Sequence, residues 1–139
     1  DGLLGQAKSR IWTIVNEVSK LRCNDEIPEL EIAMYDYGNQ TLSLKDNYIR
    51  QQLNFTRDLD LVSQKLFSLT TNGGDEFCGA VIQKSLTDLP WSTSANDLKL
   101  IYIAGNEPFN QGPVAYKEAC ALAKNKGVII STIFYAIYP

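Results

Sequence analysis

Residues 98–108, Leu-Lys-Leu-Ile-Tyr-Ile-Ala-Gly-Asn-Glu-Pro, constrain the fold more than any other stretch of this 139-residue chain. Leu98, Leu100, Ile101, Tyr102, Ile103 and Ala104 form a nearly unbroken apolar run that stops at Gly105-Asn106. An apolar run this short, rich in β-branched side chains and closed by turn residues, reads as a strand buried on both faces. Strands of that kind belong to parallel sheets covered by helices, and ligands of such sheets bind beyond the carboxyl ends of the strands. The loop at residues 105–108 is therefore where a functional edge is expected.

The rest of the chain supplies elements to pack around that strand. Residues 3–22 place Leu4, Ala7, Ile11, Ile14, Val15, Val18 and Leu21 at three- and four-residue spacing, which predicts an amphipathic helix with Trp12 at the edge of its apolar stripe. The polar stretch 23–29, containing Pro28, ends it. Residues 30–37 alternate in part and stop at Gly38-Asn39, which predicts a strand. Residues 48–55 predict a half-exposed strand returning beside it at the edge of the sheet. Thr56 or Asp58 can cap the next helix, whose face is Leu59, Val62, Leu66 and Leu69. Thr70-Thr71-Asn72-Gly73-Gly74 is a turn cluster. A helix is expected from Glu76 to about Leu89, and another opened by Pro113 and stopped at Gly127. Residues 128–138 predict a last strand, at least through Phe134. Helices and strands alternate with no repeat, low-complexity tract or linker, so the class is α/β with helices on both faces of a sheet.

Composition removes several function classes. A net charge of −3 argues against a nucleic-acid surface, which needs clustered Lys and Arg. No apolar run approaches the roughly 20 residues that span a bilayer. No basic-then-apolar leader opens the chain. The sequence contains no histidine, which excludes a Ser-His-Asp triad, a Cys-His pair and a His-ligated zinc site within it. Cys23, Cys78 and Cys120 lack metal-finger spacing. One disulfide plus one free thiol and three reduced thiols are both compatible with that count. If a pair is bridged, the order of elements points to Cys78 with Cys120.

Individual residues offer modest chemistry. Gly73, Gly74 and Gly79 make neither a dinucleotide fingerprint nor a phosphate loop. Gly73-Gly74 reads as an interhelical turn or as a loop whose backbone approaches a ligand. Asp75 and Glu76 complement the dipole of the helix they open. Glu107 is a metal or partner contact or a solvated turn residue, and Asp36 ends a strand and either faces the same edge or is a solvated carboxylate. Asn39-Gln40-Thr41 and Asn54-Phe55-Thr56 match the glycosylation triplet, a pattern frequent by chance.

The order of these elements resembles a von Willebrand factor A domain that begins one strand late. Asp1-Gly2-Leu3-Leu4-Gly5-Gln6-Ala7-Lys8 is similar to the segment that follows the family's Asp-x-Ser-x-Ser strand end. Residues 30–37 and 48–55 resemble its hairpin of second and third strands. Thr70-Thr71-Asn72-Gly73-Gly74-Asp75 resembles the loop usually reading Gly-Gly-Thr. Residues 100–108 resemble the strand usually ending Thr-Asp-Gly-x-Pro, and 123–133 the following helix end and strand.

The resemblance implies a three-layer, mostly parallel, Rossmann-like sheet with one antiparallel edge hairpin. It implies one domain over residues 1–139, truncated at its N-terminus, whose central first strand is missing. A slot is then expected between residues 30–37 and 98–104, with the two strands closing up to pair. The family's site draws on the Asp-x-Ser-x-Ser loop, the threonine and the later aspartate, and usually holds magnesium. Here that first loop is missing, Asp75 stands in the threonine's place and Gly105 in the aspartate's. Asp75 and Thr71 remain as metal candidates, and no cofactor is expected unless the upstream loop is present to complete a magnesium site. The expected function is non-catalytic binding of a protein partner through an edge of Thr71, Asn72, Gly73, Gly74, Asp75, Gly105, Asn106, Glu107 and Phe109. The alternative is a small α/β enzyme using carboxylates and lysine at the same edge. The sequence itself names no compartment, and the resemblance inclines toward export.

Overall fold

Periodic apolar faces become helices here, but their ends are set by backbone geometry that periodicity does not report. The computed structural model describes residues 2–134. Helix α1 (Gly2–Ser19) is shorter than its apolar stripe. Lys20 N–H and Leu21 N–H bond three residues back, to Glu17 O and Val18 O, and tighten the last turn. Cys23 and Glu26 then exchange backbone hydrogen bonds of 2.8 and 3.0 Å around Asn24 and Asp25, whose φ angles of 51° and 64° suit short polar side chains.

Strands β1 (Ile32–Tyr37) and β2 (Ile49–Thr56) form the expected antiparallel hairpin, with Asp36 opposite Arg50 and Tyr37 opposite Ile49. Asp36 is not a loose carboxylate at the strand end. It accepts from Arg50 Nη2 at 2.7 Å, Arg50 Nε at 3.1 Å and Gln52 Nε2 at 3.0 Å, which fixes the register of the pair. Between the strands lies one 3₁₀ turn, Leu44–Asp46, capped by Ser43. Asn47 and Tyr48 follow at φ 55° and 54°, so β2 starts at Ile49 and not at the expected Tyr48. A left-handed residue cannot continue a pleated strand.

Helix α2 (Leu59–Ser68) is capped by Asp58, whose Oδ1 accepts from Leu61 N at 3.1 Å. It packs on α1: the Lys8 ammonium donates to Phe67 O and Leu69 O, and Trp12 meets Phe67 edge-on at 6.4 Å. Helix α3 (Cys78–Asp88) is the most deeply set element, with Cys78, Ala80, Val81, Ile82, Ser85 and Leu86 all buried. A Cβ on Gly79 would fall 2.1 Å from Val114 O, so the approach to the last helix presses directly on α3. That contact holds Ala115 extended at ψ 135°, and α4 (Tyr116–Asn125) therefore starts beyond Pro113, which lies outside its first turn.

Strands β3 (Lys99–Gly105) and β4 (Val128–Phe134) pair in parallel, with Ile101 beside Ile130 and Gly105 beside Phe134. The part of the last strand expected beyond residue 134 lies outside the described residues. One core joins everything on this side: Ile49, Cys78, Val81, Ile82, Leu86, Ile103, Ala119, Ala123 and Val128 cluster, with Tyr35, Tyr37 and Ile101 packed against them. Leu86 has no exposed surface, and burying a side chain of that size contributes roughly 1.5–3 kcal/mol.

Strand pairing departs from the expected single sheet. β1 bonds to β2 and β3 to β4, giving two two-stranded sheets. The expected closure of residues 30–37 onto 98–104 does not occur. Near the carboxyl ends of β1 and β3 the Tyr37 phenol donates instead to Ala104 O at 2.8 Å, a side-chain link between the two sheets. The pairing expected of Cys78 with Cys120 is also absent. All three cysteines are free: Cys78 faces the core from α3, whereas Cys120 and Cys23 are exposed. Among the described residues no helix is long and apolar enough to cross a membrane.

Candidate functional site

Gly105 ends β3 at a point where three other segments converge. A Cβ there would fall 2.8 Å from Tyr37 Oη, 3.1 Å from Glu76 Oε2 and 3.8 Å from Phe109 Cε1. Such a meeting requires a residue without a side chain, so Gly105 is a packing position as well as a site that lacks a ligand group.

Tyr37 enters from β1. Burial raises its phenol far above the ordinary value, with the neighbouring Cys78 and Glu76 adding to the rise, so it remains a neutral donor to Ala104 O. Cys78 Sγ lies 3.5 Å from Tyr37 Oη and donates to it. Burial pushes this thiol up to about 11.

Glu76 enters from the other side. It lies ahead of α3, which starts at Cys78 with Phe77 at its N-cap and no side-chain cap, so the expected dipole role falls outside the helix itself. The side chain turns instead toward Gly105. Its Oε2 is buried with no hydrogen-bond partner. Burial, and then the charge of Glu107, hold the carboxyl above its ordinary value, while the amides of Asn106 and Glu107 offset part of that rise. The Glu76 N–H donates to Gln111 Oε1 at 2.8 Å, and Gln111 Nε2 donates to the Glu107 carboxylate. Gln111 thereby fastens the loop after β3 to the segment before α3.

Two more glycines bring the β1–β2 connection into the same edge. Gly38 has φ 76°, and a Cβ on it would fall 2.9 Å from Glu76 Cγ. A Cβ on Gly74 would fall 2.2 Å from Gln40 Cγ, and Gln40 N–H donates to Asn72 O at 3.0 Å. Asn39 is buried, and its Oδ1 accepts from Thr41 N at 2.9 Å and Thr41 Oγ1 at 2.6 Å. The first glycosylation-like triplet is thus a locked turn whose amide is withdrawn from solvent.

The sequence-predicted edge residues divide by environment. Thr71, Asn72, Gly73, Asp75 and Asn106 are exposed, whereas Gly74, Gly105, Glu107 and Phe109 are half-buried. The two predicted loops do meet, through Glu76 and Gln111. Tyr37, Gly38, Gln40, Cys78 and Gln111 complete the edge although the sequence did not assign them to it. Gly38 directly after a strand was the available signal, because glycine there permits both a positive φ and a close approach. Gln111 carried no signal.

Mg²⁺ demands near-octahedral oxygen ligation. Thr71 and Asp75 are exposed, Gly105 supplies no side chain, and the described residues hold no group of three carboxylate or thiol side chains able to share an ion. Two shallow, open surface clefts lie elsewhere, one between α4 and β4 and lined by Cys120, Lys124 and Ile129, the other around residues 23–29. Compared with known proteins, the chain matches no family model and no curated protein.

Proposed function

We propose that this chain is a von Willebrand factor A-like module that binds a protein partner, without catalysis, through the loops at the carboxyl end of β3. The observation that carries the reading is the convergence on Gly105. Tyr37, Glu76 and Phe109 come from three segments and pack onto one glycine, and the Glu76–Gln111 bond joins the segment before α3 to the loop after β3. On its outer side that edge presents Thr71, Asn72, Asp75 and Asn106 to solvent. A polar rim above a packed base is the anatomy of a surface that recognises another protein. The order of elements, the antiparallel hairpin and the parallel pair support the family reading. A three-layer arrangement is part of this proposal: α3 contacts β1 and α4 contacts β4 around the shared core, while α2 contacts β2 and carries α1.

A carboxylate enzyme is the second reading, and Glu76 is the observation that favours it, since raised carboxyls cluster at catalytic sites. Its Oε2 is buried and packs against Gly105, however. A binding edge accounts for the exposed residues more directly.

Photo-cross-linking separates the two. A cross-linking side chain placed at Asn72 or Asn106 should yield one discrete protein adduct, and one placed at Ser94, before the amino end of β3, should not. The double variant Asp75→Lys with Asn106→Lys should abolish the adduct while leaving the circular dichroism spectrum and melting temperature unchanged. Equal labelling from all three positions, or turnover of a small molecule that Glu76→Gln abolishes, would overturn the proposal.

A further inference from the structure

The loop after β3 takes its place from side chains. Among the described residues, no backbone-to-backbone hydrogen bond ties residues 107–112 to another segment. Side-chain contacts do so at three points. Gly105 opens the loop against Tyr37 and Glu76. Gly112 closes it at φ 93°, where a Cβ would fall 2.6 Å from Phe77 Cγ in the segment before α3. Between these two, Gln111 Oε1 accepts from Glu76 N–H at 2.8 Å, and Gln111 Nε2 donates to the Glu107 carboxylate.

The Gln111 amide fits this place in one orientation. A backbone N–H only donates and a carboxylate only accepts, so a flipped amide would set donor against donor and acceptor against acceptor. The bond to Glu107 has a charged acceptor, which makes it the stronger kind. Contact with a glycine limits distance alone, whereas an amide bonded at both ends limits direction too. Gln111 and Glu76 are 35 residues apart in sequence, so the amide carries position from one loop to the other. Asn106 and Glu107 are thereby placed against the chain at Asp75 and Glu76.

We propose that Gln111 is the positioning residue of the partner-binding edge: its side-chain amide sets where Asn106 stands relative to Asn72 and Asp75, and the partner protein engages both loops in that placement. The inference rests on the reading of this edge as a protein-binding surface. Gln111 acts through the two loops it joins. It and Glu107 are half-buried, whereas Asn72, Asp75 and Asn106 are exposed to the partner.

The test reverses the polarity of one bond in the whole chain. Gln111→Glu keeps an acceptor for the Glu76 N–H, loses the donor to Glu107 and sets a second carboxylate against it. Adding Glu107→Gln restores a donor and an acceptor in the opposite sense. Two measurements follow both variants: amide hydrogen exchange in residues 105–112, and the adduct formed by a cross-linking side chain at Asn72, on the loop that neither substitution alters. Gln111→Glu should speed the exchange and lower the adduct yield at least about fivefold, and the double variant should recover both. Gln111→Met, which loses both bonds and adds no charge, should repeat the loss and stands in if Gln111→Glu fails to fold. Faster exchange with an undiminished adduct would overturn the positioning role and leave the edge reading standing. Unchanged exchange in Gln111→Glu, or exchange recovered in the double variant without the adduct, would overturn it as well. No adduct from the parent chain would overturn the edge reading and this inference with it.

Discussion

Tyr37 and Ala104, 67 residues apart in sequence, are joined by a phenol-to-carbonyl hydrogen bond of 2.8 Å that crosses from one two-stranded sheet to the other. The same phenol oxygen accepts from the Cys78 thiol and sits over Gly105. One side chain thus connects β1, α3 and β3 at the end of the molecule where the loops gather.

Tyr37→Phe removes the hydroxyl and keeps the ring. The Ala104 carbonyl loses its donor and the Cys78 thiol its acceptor, both in a half-buried setting. A lost bond of this kind costs about 1–2 kcal/mol. The expected result is a lower urea midpoint with an unchanged slope. An unchanged midpoint would show that water replaces the phenol at no cost.

Gly105→Ala tests the convergence itself. Its new Cβ would lie 2.8 Å from Tyr37 Oη and 3.1 Å from Glu76 Oε2, below comfortable contact with two anchored side chains. Overpacking of this kind costs about 1–3 kcal/mol. In the Tyr37→Phe background the closest clash is gone, so the cost of Gly105→Ala should fall. Equal costs in both backgrounds, measured as a double-mutant cycle, would show that the two positions are not coupled.

The three thiols should separate by reactivity. Cys23 and Cys120 are exposed, and Cys78 is buried with its thiol pushed up to about 11. In the native, reduced protein at pH 8, iodoacetamide should label two cysteines, with Cys78 following only on unfolding. Peptide mass spectrometry reads the three sites directly. Labelling of Cys78 at the rate of Cys120 would mean that α3 opens readily.

The elements were legible where a side-chain period recorded their burial. The runs at 98–104 and 128–134 became a parallel pair, and the alternation at 30–37 became half of a hairpin. Element ends were less legible because backbone conformation sets them. Tyr48 at φ 54° delays β2, and Val114 pressed on Gly79 delays α4. The edge was half legible. A loop after a buried strand marks its own position, but Tyr37, Gln111 and Glu76 belong to it only through contacts between distant segments. Strand partners were the least legible, because a run of apolar residues does not state which edge pairs with which. The expected closure of β1 onto β3 did not occur, and each strand pairs only with its neighbour in its own small sheet.

Glu76→Gln carries a pH dependence with a defined sign. Burial and the Glu107 charge raise the Glu76 carboxyl above the ordinary value of 4.5, so the folded state holds its proton more tightly than the unfolded state does. Stability from this group is fully present below that value and is lost as pH rises through the raised one. Above the window the folded chain carries a charge beside Glu107, with Oε2 buried and unbonded. Glutamine keeps the shape, removes the charge and offers an amide donor to the Glu107 side. The variant should match the parent at pH 4 and melt at a higher temperature than the parent at pH 7. Thermal melts at both pH values give the comparison. A variant less stable than the parent at pH 7 would mean that the Glu76 charge is held by favourable contacts, with the amides of Asn106 and Glu107 outweighing its burial.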